Sequence, residues 1–364
     1  MGESKTRQTA FVGARRPPHS IPRAVNAVAA IGAALGLFAA CASTSRNSRT
    51  GASSTVAGTA AAQAEDAGSA PQRRALVLSG GGPTGRAFEV GILKGLRDAG
   101  VDVTQPDLVV GTSAGGVLGS QLRSGDSVDA MYDALLTATD SGTGAPTDVG
   151  FDPAYFLQTV QILNAATDVT PDLRVEIGNR ALAAPKAMSM DDQLHFIDTD
   201  LGGLVHHWPS QPLELAAADV STGTMRFFDS TQNAPIELAL AASSALPGRV
   251  APIDIGEQRY MDGMVGGACP TGCWPNLDGA AGYDIIVVIM TGDAPPVDQE
   301  VARMRSLGSK LIVISPNAEA AAARGQNPFD LSRLGPAAEA ARHQATSLAG
   351  DVRNLWNQSP TSTT

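Results

Sequence analysis

The chain has 364 residues, 43% of them hydrophobic, and a net charge of -10 at pH 7. This apolar content is ordinary for a globular protein and excludes a chain that is disordered throughout. Residues 1–41 carry five basic residues against one acidic residue, so the rest of the chain is more acidic than the whole. An acidic body argues against nucleic acid as a partner.

The first 41 residues have the layout of an export signal. A basic stretch precedes a mostly apolar run at 27–40, and small residues follow from Cys41 onward. The run is shorter than the roughly 20 apolar residues that a spanning helix needs. Phe38 to Cys41 resembles a bacterial lipobox, with Phe38 where leucine is usual. We expect export, with the protein anchored in the cell envelope through a lipidated Cys41 or otherwise secreted; an uncleaved anchor is the alternative.

Residues 42–72 are rich in Ala, Ser, Thr, Gly and Gln and show no apolar periodicity. Such a segment cannot bury enough apolar surface to offset the entropy of ordering it, so a flexible linker is predicted. A folded domain is expected at 73–357, with a disordered tail at 358–364.

The domain is predicted to begin with a buried strand at 75–79, a glycine-rich loop at 80–85 and a helix that ends at Gly100. One face of this helix carries four apolar residues, Phe88, Ile92, Leu93 and Leu96. The next elements are a strand at 108–110, a helix from Ser113 to about 123, a helix near 129–137, and a polar loop at 140–152 that we expect to be a mobile cover.

Strands and helices continue to alternate along the rest of the chain. Strands are predicted at 213–220, 225–228, around 253, 259–261, 285–290 and 311–315, and helices at 235–246 and 336–356. This alternation predicts one α/β domain whose central sheet is largely parallel and is flanked by helices.

The glycine-rich loop, GGGPTG, matches the G-x-G-x-x-G pattern of dinucleotide-binding proteins. That site also needs an acidic residue at the end of the second strand, and none is present there. A phosphate-binding P-loop is disfavoured as well, because Arg86 and Ala87 stand where Lys and Ser or Thr are required. No nucleotide cofactor is therefore expected, and a turn that only packs strand on helix is the alternative.

The second strand runs into GTSAG, residues 111–115, which has the G-x-S-x-G pattern of a nucleophile elbow. A helix-capping serine is the alternative interpretation of Ser113. Both glycine loops follow neighbouring strands, so they are expected at the same edge of the sheet. Acyl transfer needs a nucleophile and N–H donors for the oxyanion, which Gly81 and Gly82 can supply and Pro83 cannot.

A base is also required, and no histidine has a catalytic context. The five are His19 in the export segment, His195 on a predicted helix, His206 and His207 in a polar stretch, and His343 on the last helix. By contrast, Asp262 follows a predicted strand and precedes Gly263, which places a carboxylate at a strand end. The alternative is that Asp-Gly is simply a common turn pair.

Together the motifs LVLSGGGPTG, GTSAGG and YMDGMVGG, with the segment Ala242 to Gly248, resemble the patatin-like phospholipase family. The likeness covers about 73–356. It implies a three-layer α/β fold and a serine lipid acyl hydrolase that uses a Ser-Asp dyad and an acyl-enzyme. The nucleophile would be Ser113, its partner Asp262, and the oxyanion loop Gly80, Gly81 and Gly82.

Two features depart from the family pattern. Thr84 stands where a basic residue is usual, and Arg86 is the candidate to replace it. Cys269 and Cys273 lie beside the Asp-Gly motif, where the family usually has no cysteine. Because disulfides persist in oxidising compartments, we expect these two to form one.

Two alternatives stay open. One is an α/β-hydrolase esterase with a triad of Ser113, Asp262 and His343, since the chain order permits it. The other is a non-catalytic envelope lipoprotein. No metal is expected, because the chain has no His/Cys/carboxylate cluster at ligand spacing. The expected partners are a lipid or acyl-ester substrate and the membrane surface that holds it.

Overall fold

The computed structural model describes residues 71–138, 153–184, 187–267, 274–292 and 297–358. Several predicted features lie outside these residues: the export signal with Cys41, nearly all of the 42–72 linker, the 140–152 loop, Cys269 with Cys273, and the tail after residue 358.

The described residues contain an eight-stranded sheet with the order β5-β6-β3-β2-β1-β7-β8, in which β4 also pairs with β3. Its strands are β1 (Arg74–Leu78), β2 (Leu108–Gly111), β3 (Leu213–Asp219), β4 (Met225–Phe228), β5 (Ile253–Ile255), β6 (Gln258–Asp262), β7 (Ile285–Ile289) and β8 (Lys310–Ile314). The pairs from β3 through β2, β1 and β7 to β8 are parallel, whereas β4, β5 and β6 pair antiparallel. The prediction of a largely parallel sheet is confirmed.

Helices cover both faces of the sheet. They are α1 (Gly82–Asp98), α2 (Ala114–Ser124), α3 (Val128–Ala138), α4 (Pro153–Ala165), α5 (Pro171–Leu182), α6 (Met190–Thr199), α7 (Ile236–Ser243), α8 (Asp298–Ser306), α9 (Ala318–Arg324) and α10 (Leu334–Trp356). Alternate residues of β1 point to opposite faces, so Leu76 and Leu78 pack with α1, α2 and α10, while Ala75 and Val77 pack with α8. These two cores separate three layers, as predicted.

The structure corrects two parts of the helix prediction. α1 begins at Gly82, inside the predicted loop, because proline is tolerated in the first turn of a helix and Pro83 lies there. Four helices are missing from the predicted elements, α4, α5, α8 and α9, whereas the helix predicted around His195 is present as α6.

Within the described residues, no helix combines the length and the apolar character needed to cross a bilayer.

Candidate active site

The register of β3 brings together two strand ends that are far apart in sequence. Leu215 pairs with Gly111 of β2 and also with Phe228 of β4, so β2 and β4 lie on opposite edges of β3. Ala217 pairs with β4 and with Asp262 of β6, which puts β6 on the same edge as β2. β2 and the antiparallel β6 therefore run toward each other and end two residues apart along β3.

Ser113 lies just beyond the end of β2, on the turn into α2. Its backbone has φ 52 and ψ -121, a region that residues other than glycine rarely adopt. The turn is fixed from both sides, because the Ser113 N–H donates to Ser243 Oγ at 3.0 Å and the Gly115 N–H donates to the Ser79 carbonyl at 3.1 Å. This strained strand-to-helix turn is the geometry of a nucleophile elbow.

Asp262 ends β6 and is only 1% exposed. Its carboxylate accepts a hydrogen bond from the Met264 N–H at 2.8 Å and faces the Ser113 side chain, whose interaction favours the charged form. Its own N–H donates to the Ala245 carbonyl at 2.9 Å. The nucleophile candidate and the carboxylate candidate therefore face each other, and no histidine of the described residues lies between them.

Asn276 ties the two strand ends together, and the sequence offers no motif that would identify it. Its Nδ2 donates to Thr112 Oγ1 at 2.9 Å and to the Gly263 carbonyl at 3.0 Å. Thr112 precedes Ser113, and Gly263 follows Asp262, so one buried amide holds the residues next to both functional side chains.

Burial raises the pKa of Asp262 from 3.8 to about 7, and the hydrogen bonds from Met264 and Ser113 only partly oppose this shift. Desolvation has this direction because it disfavours the charged carboxylate. A carboxyl group with a pKa near neutrality is a far better base than one with the ordinary value.

This pKa predicts the pH dependence of any reaction that uses Asp262 as its base. The carboxylate form is active, so kcat/KM should rise with pH, be half-maximal near pH 7 and level off above it. At pH 6 we expect roughly a tenfold loss relative to the plateau, from single-site titration. A pH profile of kcat/KM measures this, and a profile that stays flat down to pH 5 would contradict it.

Gly263 allows the close approach of the two strand ends. A Cβ at this position would lie 2.6 Å from the Ala216 carbonyl oxygen and 3.0 Å from Thr112 Cγ2. Gly263→Ala should therefore displace Asp262, lowering both the rate of catalysis and the free energy of unfolding, the latter by about 1–3 kcal/mol.

The matched control for this substitution is Gly350→Ala in α10, where no atom lies within 4 Å of the added Cβ. It should stabilise the helix slightly, because alanine has the higher helix propensity. Thermal unfolding and steady-state rates of both variants test the prediction. Equal effects at the two positions would show that packing at Gly263 does not support the site.

The glycine-rich loop lies over the same cavity. Gly81 and Gly82 have φ of 140 and 61, values that favour glycine, and both line the cavity with Ser113 and Asp262. At the start of α1, the Thr84 N–H donates to the Pro328 carbonyl and the Gly85 N–H to the Gly81 carbonyl. Within the part of the chain that the structure describes, the N–H of Gly82 has no backbone acceptor, as expected in the first turn of a helix.

Gly80 takes a different position from the other two glycines. Its carbonyl accepts hydrogen bonds from the hydroxyls of Ser79 and Thr291, and it is absent from the cavity wall. Gly80 thus anchors the loop to β1 and to the end of β7.

The cavity has a volume of about 30 Å³ and a mostly apolar wall. This is room for only one or two water molecules, so wall side chains must move to admit an acyl chain. Besides the residues already placed there, the wall consists of Phe156, Gln193, Phe196, Leu201, Ser244, Leu246, Arg249, Pro328 and Phe329. Two charged residues of the described chain line it, Asp262 and Arg249.

The histidines that could have served as the base, and the arginine expected near the glycine-rich loop, lie away from the cavity wall. His343 is on the exposed side of α10, where its Nδ1 lies 3.1 Å from Glu319 Oε2, and the exposed His206 pairs with Glu237. The structure brings neither of them, nor His195 or His207, to the cavity wall.

Arg86 is buried against α2, donates to Gln121 Oε1 at 2.7 Å and does not reach the cavity. The prediction that Arg86 replaces the basic residue missing at Thr84 is therefore wrong.

Comparison with known proteins identifies relatives of this chain. The family model for patatin-like phospholipases matches residues 76–272, which is more than half of the chain. Uncharacterized NTE family proteins of Mycobacterium tuberculosis and Mycobacterium bovis are 25% identical over 198 residues, or 54% of this chain and 44% of theirs. The chain thus spans less than half the length of the curated relatives it matches.

Among solved structures, VipD from Legionella pneumophila aligns with a TM-score of 0.40 and 15% identity, covering 77% of this chain and 67% of VipD. The type III effector protein ExoU aligns with a TM-score of 0.36 and 16% identity, covering 78% of this chain and 53% of ExoU.

Proposed function

Because the chain belongs to the patatin-like phospholipase family, we propose that it is a lipid ester hydrolase that cleaves carboxylic ester bonds of phospholipids or related acyl esters. The observation that carries the proposal is the placement of the Ser113 side chain against the buried carboxylate of Asp262, both in the wall of a mostly apolar cavity. A hydroxyl is a weak nucleophile unless a neighbouring base takes its proton, and Asp262 is the group in position to do so.

In the proposed mechanism, Ser113 Oγ attacks the ester carbonyl carbon while its proton moves to Asp262. The negative charge that develops on the carbonyl oxygen is stabilised by the N–H groups of Gly81 and Gly82. The tetrahedral intermediate then collapses, the C–O bond to the alcohol breaks, and Asp262 returns the proton to the leaving oxygen. This leaves an acyl group on Ser113.

Water completes the reaction. Asp262 removes a proton from a water molecule, the resulting hydroxide attacks the acyl carbon, and the bond to Ser113 Oγ breaks with return of the proton to that oxygen. The products are a fatty acid and a regenerated hydroxyl. General base catalysis contributes about 10²–10⁴-fold to such reactions, and one oxyanion donor about 10²–10³-fold.

The proposal is tested with purified protein, a fluorophosphonate probe and a series of acyl esters. We expect covalent labelling and turnover of esters, with the preferred chain length and head group read from the series. A folded protein that neither reacts with the probe nor cleaves any ester would support the non-catalytic alternative.

A hydrolase of lipids must also reach the membrane surface that holds its substrate. Phe156 and Phe196 of the cavity wall belong to α4 and α6, and these helices also expose apolar side chains, Leu157 at 55% and Met190 at 41%. Exposed apolar groups beside an active site favour contact with a lipid surface, so we propose that α4 and α6 face the membrane.

Export is proposed on the sequence of the first 41 residues alone. A basic region, an apolar run and Cys41 support delivery to the cell envelope, with lipidation of Cys41 as one form of attachment. A diacylglyceryl group on an N-terminal Cys41, found by mass spectrometry of protein from a bacterial host, would establish attachment through a lipidated Cys41.

A further inference from the structure

Thr291 is a buried residue that lies two positions beyond the end of β7. Because β7 runs parallel to β1, this position is beside the start of the glycine-rich loop. The Thr291 hydroxyl donates a hydrogen bond to the Gly80 carbonyl, and its N–H donates to Ser79 Oγ at 3.0 Å. Its own carbonyl accepts a hydrogen bond from the guanidinium of Arg324, at the end of α9. Thr291 is therefore held through three polar groups, one of which binds the loop.

The glycine-rich loop packs directly on the side chain of Thr291. A Cβ at Gly81 would lie 2.2 Å from Thr291 Oγ1, and a Cβ at Gly85 would lie 3.2 Å from Thr291 Cγ2. The hydroxyl thus faces the first part of the loop, and the methyl group faces its last glycine. Any side chain at position 81 would collide with the hydroxyl, so the contact itself requires a glycine there.

The hydrogen bond to Gly80 also fixes the direction of the next N–H group along the chain. The Gly80 carbonyl and the Gly81 N–H belong to one peptide unit, which is planar and trans, so the two groups point in opposite directions. Because the carbonyl is directed toward Thr291 and Ser79, the Gly81 N–H is directed away from them. Within the described residues this N–H has no backbone acceptor, and Gly81 lines the cavity beside Ser113.

We propose that Thr291 is a positioning residue for the oxyanion site: by holding the Gly80 carbonyl, it directs the Gly81 N–H toward the oxygen that becomes negative when Ser113 attacks. This inference rests on the proposed function, because it assigns a further residue to the same reaction. A donor that is already oriented needs no reorganisation when the charge develops, and it therefore stabilises the transition state more than a mobile donor does. Hydrogen bonds in a chain also polarise one another, so the bond to the carbonyl strengthens the N–H as a donor.

The test is a pair of substitutions that separate the hydroxyl of Thr291 from its methyl group. Thr291→Val keeps the shape and loses the donor, which leaves the Ser79 hydroxyl to hold the Gly80 carbonyl. We expect kcat to fall about 10- to 100-fold with KM unchanged, less than the roughly 10²–10³-fold that loss of a whole oxyanion donor costs. Thr291→Ser keeps the donor, loses the methyl group and should stay within a few-fold of the wild type.

The control is Thr104→Val, at a buried threonine whose hydroxyl donates to Asp102 Oδ1 at 2.6 Å. Thr104 precedes the start of β2, whereas the site lies beyond its end, so this variant should keep the wild-type kcat. Rates on a short-chain p-nitrophenyl ester as a function of pH, together with thermal unfolding, are measured for each variant. The pH at half-maximal kcat/KM should not change, because burial, Met264 and Ser113 set the pKa of Asp262.

Several results would overturn the assignment. A loss in Thr291→Ser as large as that in Thr291→Val would show that the methyl group matters and not the hydroxyl. A wild-type kcat in Thr291→Val, or a shift of the half-maximal pH that places the effect at Asp262, would also overturn it. If Thr291→Val does not fold, Thr291→Ala takes its place: Thr291→Ser should then be the faster of the two, and equal rates would contradict the proposal.

Failure of this inference is distinguishable from failure of the function on which it rests. A wild type that cleaves the p-nitrophenyl ester while Thr291→Val is equally fast removes the role of Thr291 alone. A wild type that neither cleaves this ester nor reacts with the fluorophosphonate probe removes the proposed function itself.

Discussion

Ser113→Ala is expected to abolish both ester hydrolysis and labelling by a fluorophosphonate, with a loss of at least about 10³-fold in kcat. The side chain that attacks the carbonyl is absent from this variant, and no other described hydroxyl hydrogen-bonds to Asp262. Because the positive φ of Ser113 is held by the backbone contacts of the turn, the variant should still fold. The measurements are the mass of the phosphonate adduct and the steady-state rate.

Ser306→Ala, on the exposed face of α8, is a suitable control and should behave as the wild type in both measurements. Undiminished labelling of Ser113→Ala would mean that another residue is the nucleophile and would remove Ser113 from the mechanism.

Asp262→Asn should lower kcat by at least about a hundredfold, the low end for loss of a general base. The amide has the shape of the carboxyl group, and its oxygen can still accept from the Met264 N–H, but it cannot take a proton from Ser113. The rate that remains should lose its dependence on pH around 7.

A stability measurement distinguishes loss of the base from loss of the fold. The folded-state pKa of Asp262 is raised, so the favourable contribution of its neutral form is present below its ordinary value of 3.8 and is lost as pH rises through about 7. Asparagine stays neutral, and Asp262→Asn should therefore be at least as stable as the wild type at pH 8. An inactive variant with a lower unfolding temperature at that pH would contradict this account.

Alanine variants of His195, His206, His207 and His343 complete the test and should each stay within a few-fold of wild-type activity. None of these side chains lines the cavity among the described residues. If His343→Ala were folded and as inactive as Ser113→Ala, a Ser-Asp-His triad would replace the dyad.

The parts of the fold that could be predicted are those with strong local signals. β1, β2 and β7 are continuous apolar runs buried on both faces, and glycines mark the ends of β1 and β2. α5 is missing from the predicted elements even though a local signal marks its start, since Thr170 caps it before Pro171; α6, the helix predicted around His195, begins with a capping box of Ser189 and Asp192. α4 has a weaker pattern, because it exposes Leu157 while it buries Val160 and Leu163.

The candidate site likewise has residues that a local motif predicts and contacts that depend on segments far apart in the chain. Ser113 and Asp262 each belong to a short motif, so the sequence could place them at strand ends. Their contact depends on the pairing of β2 and β6 along one edge of β3, which no local pattern encodes. Likewise, the wall of Arg249, Phe196 and Phe329 comes from three separate segments and belongs to no motif.

The meeting of β2 and β6 on β3 also makes the reactivity of Ser113 a reporter of folding. The elbow is local, but Asp262 reaches it only after both strands have paired with β3. Contacts between distant segments form late, because a long loop must close before they stabilise the chain. During refolding, reaction of Ser113 with a phosphonate should therefore follow completion of the sheet, whereas the helical circular dichroism signal returns before it.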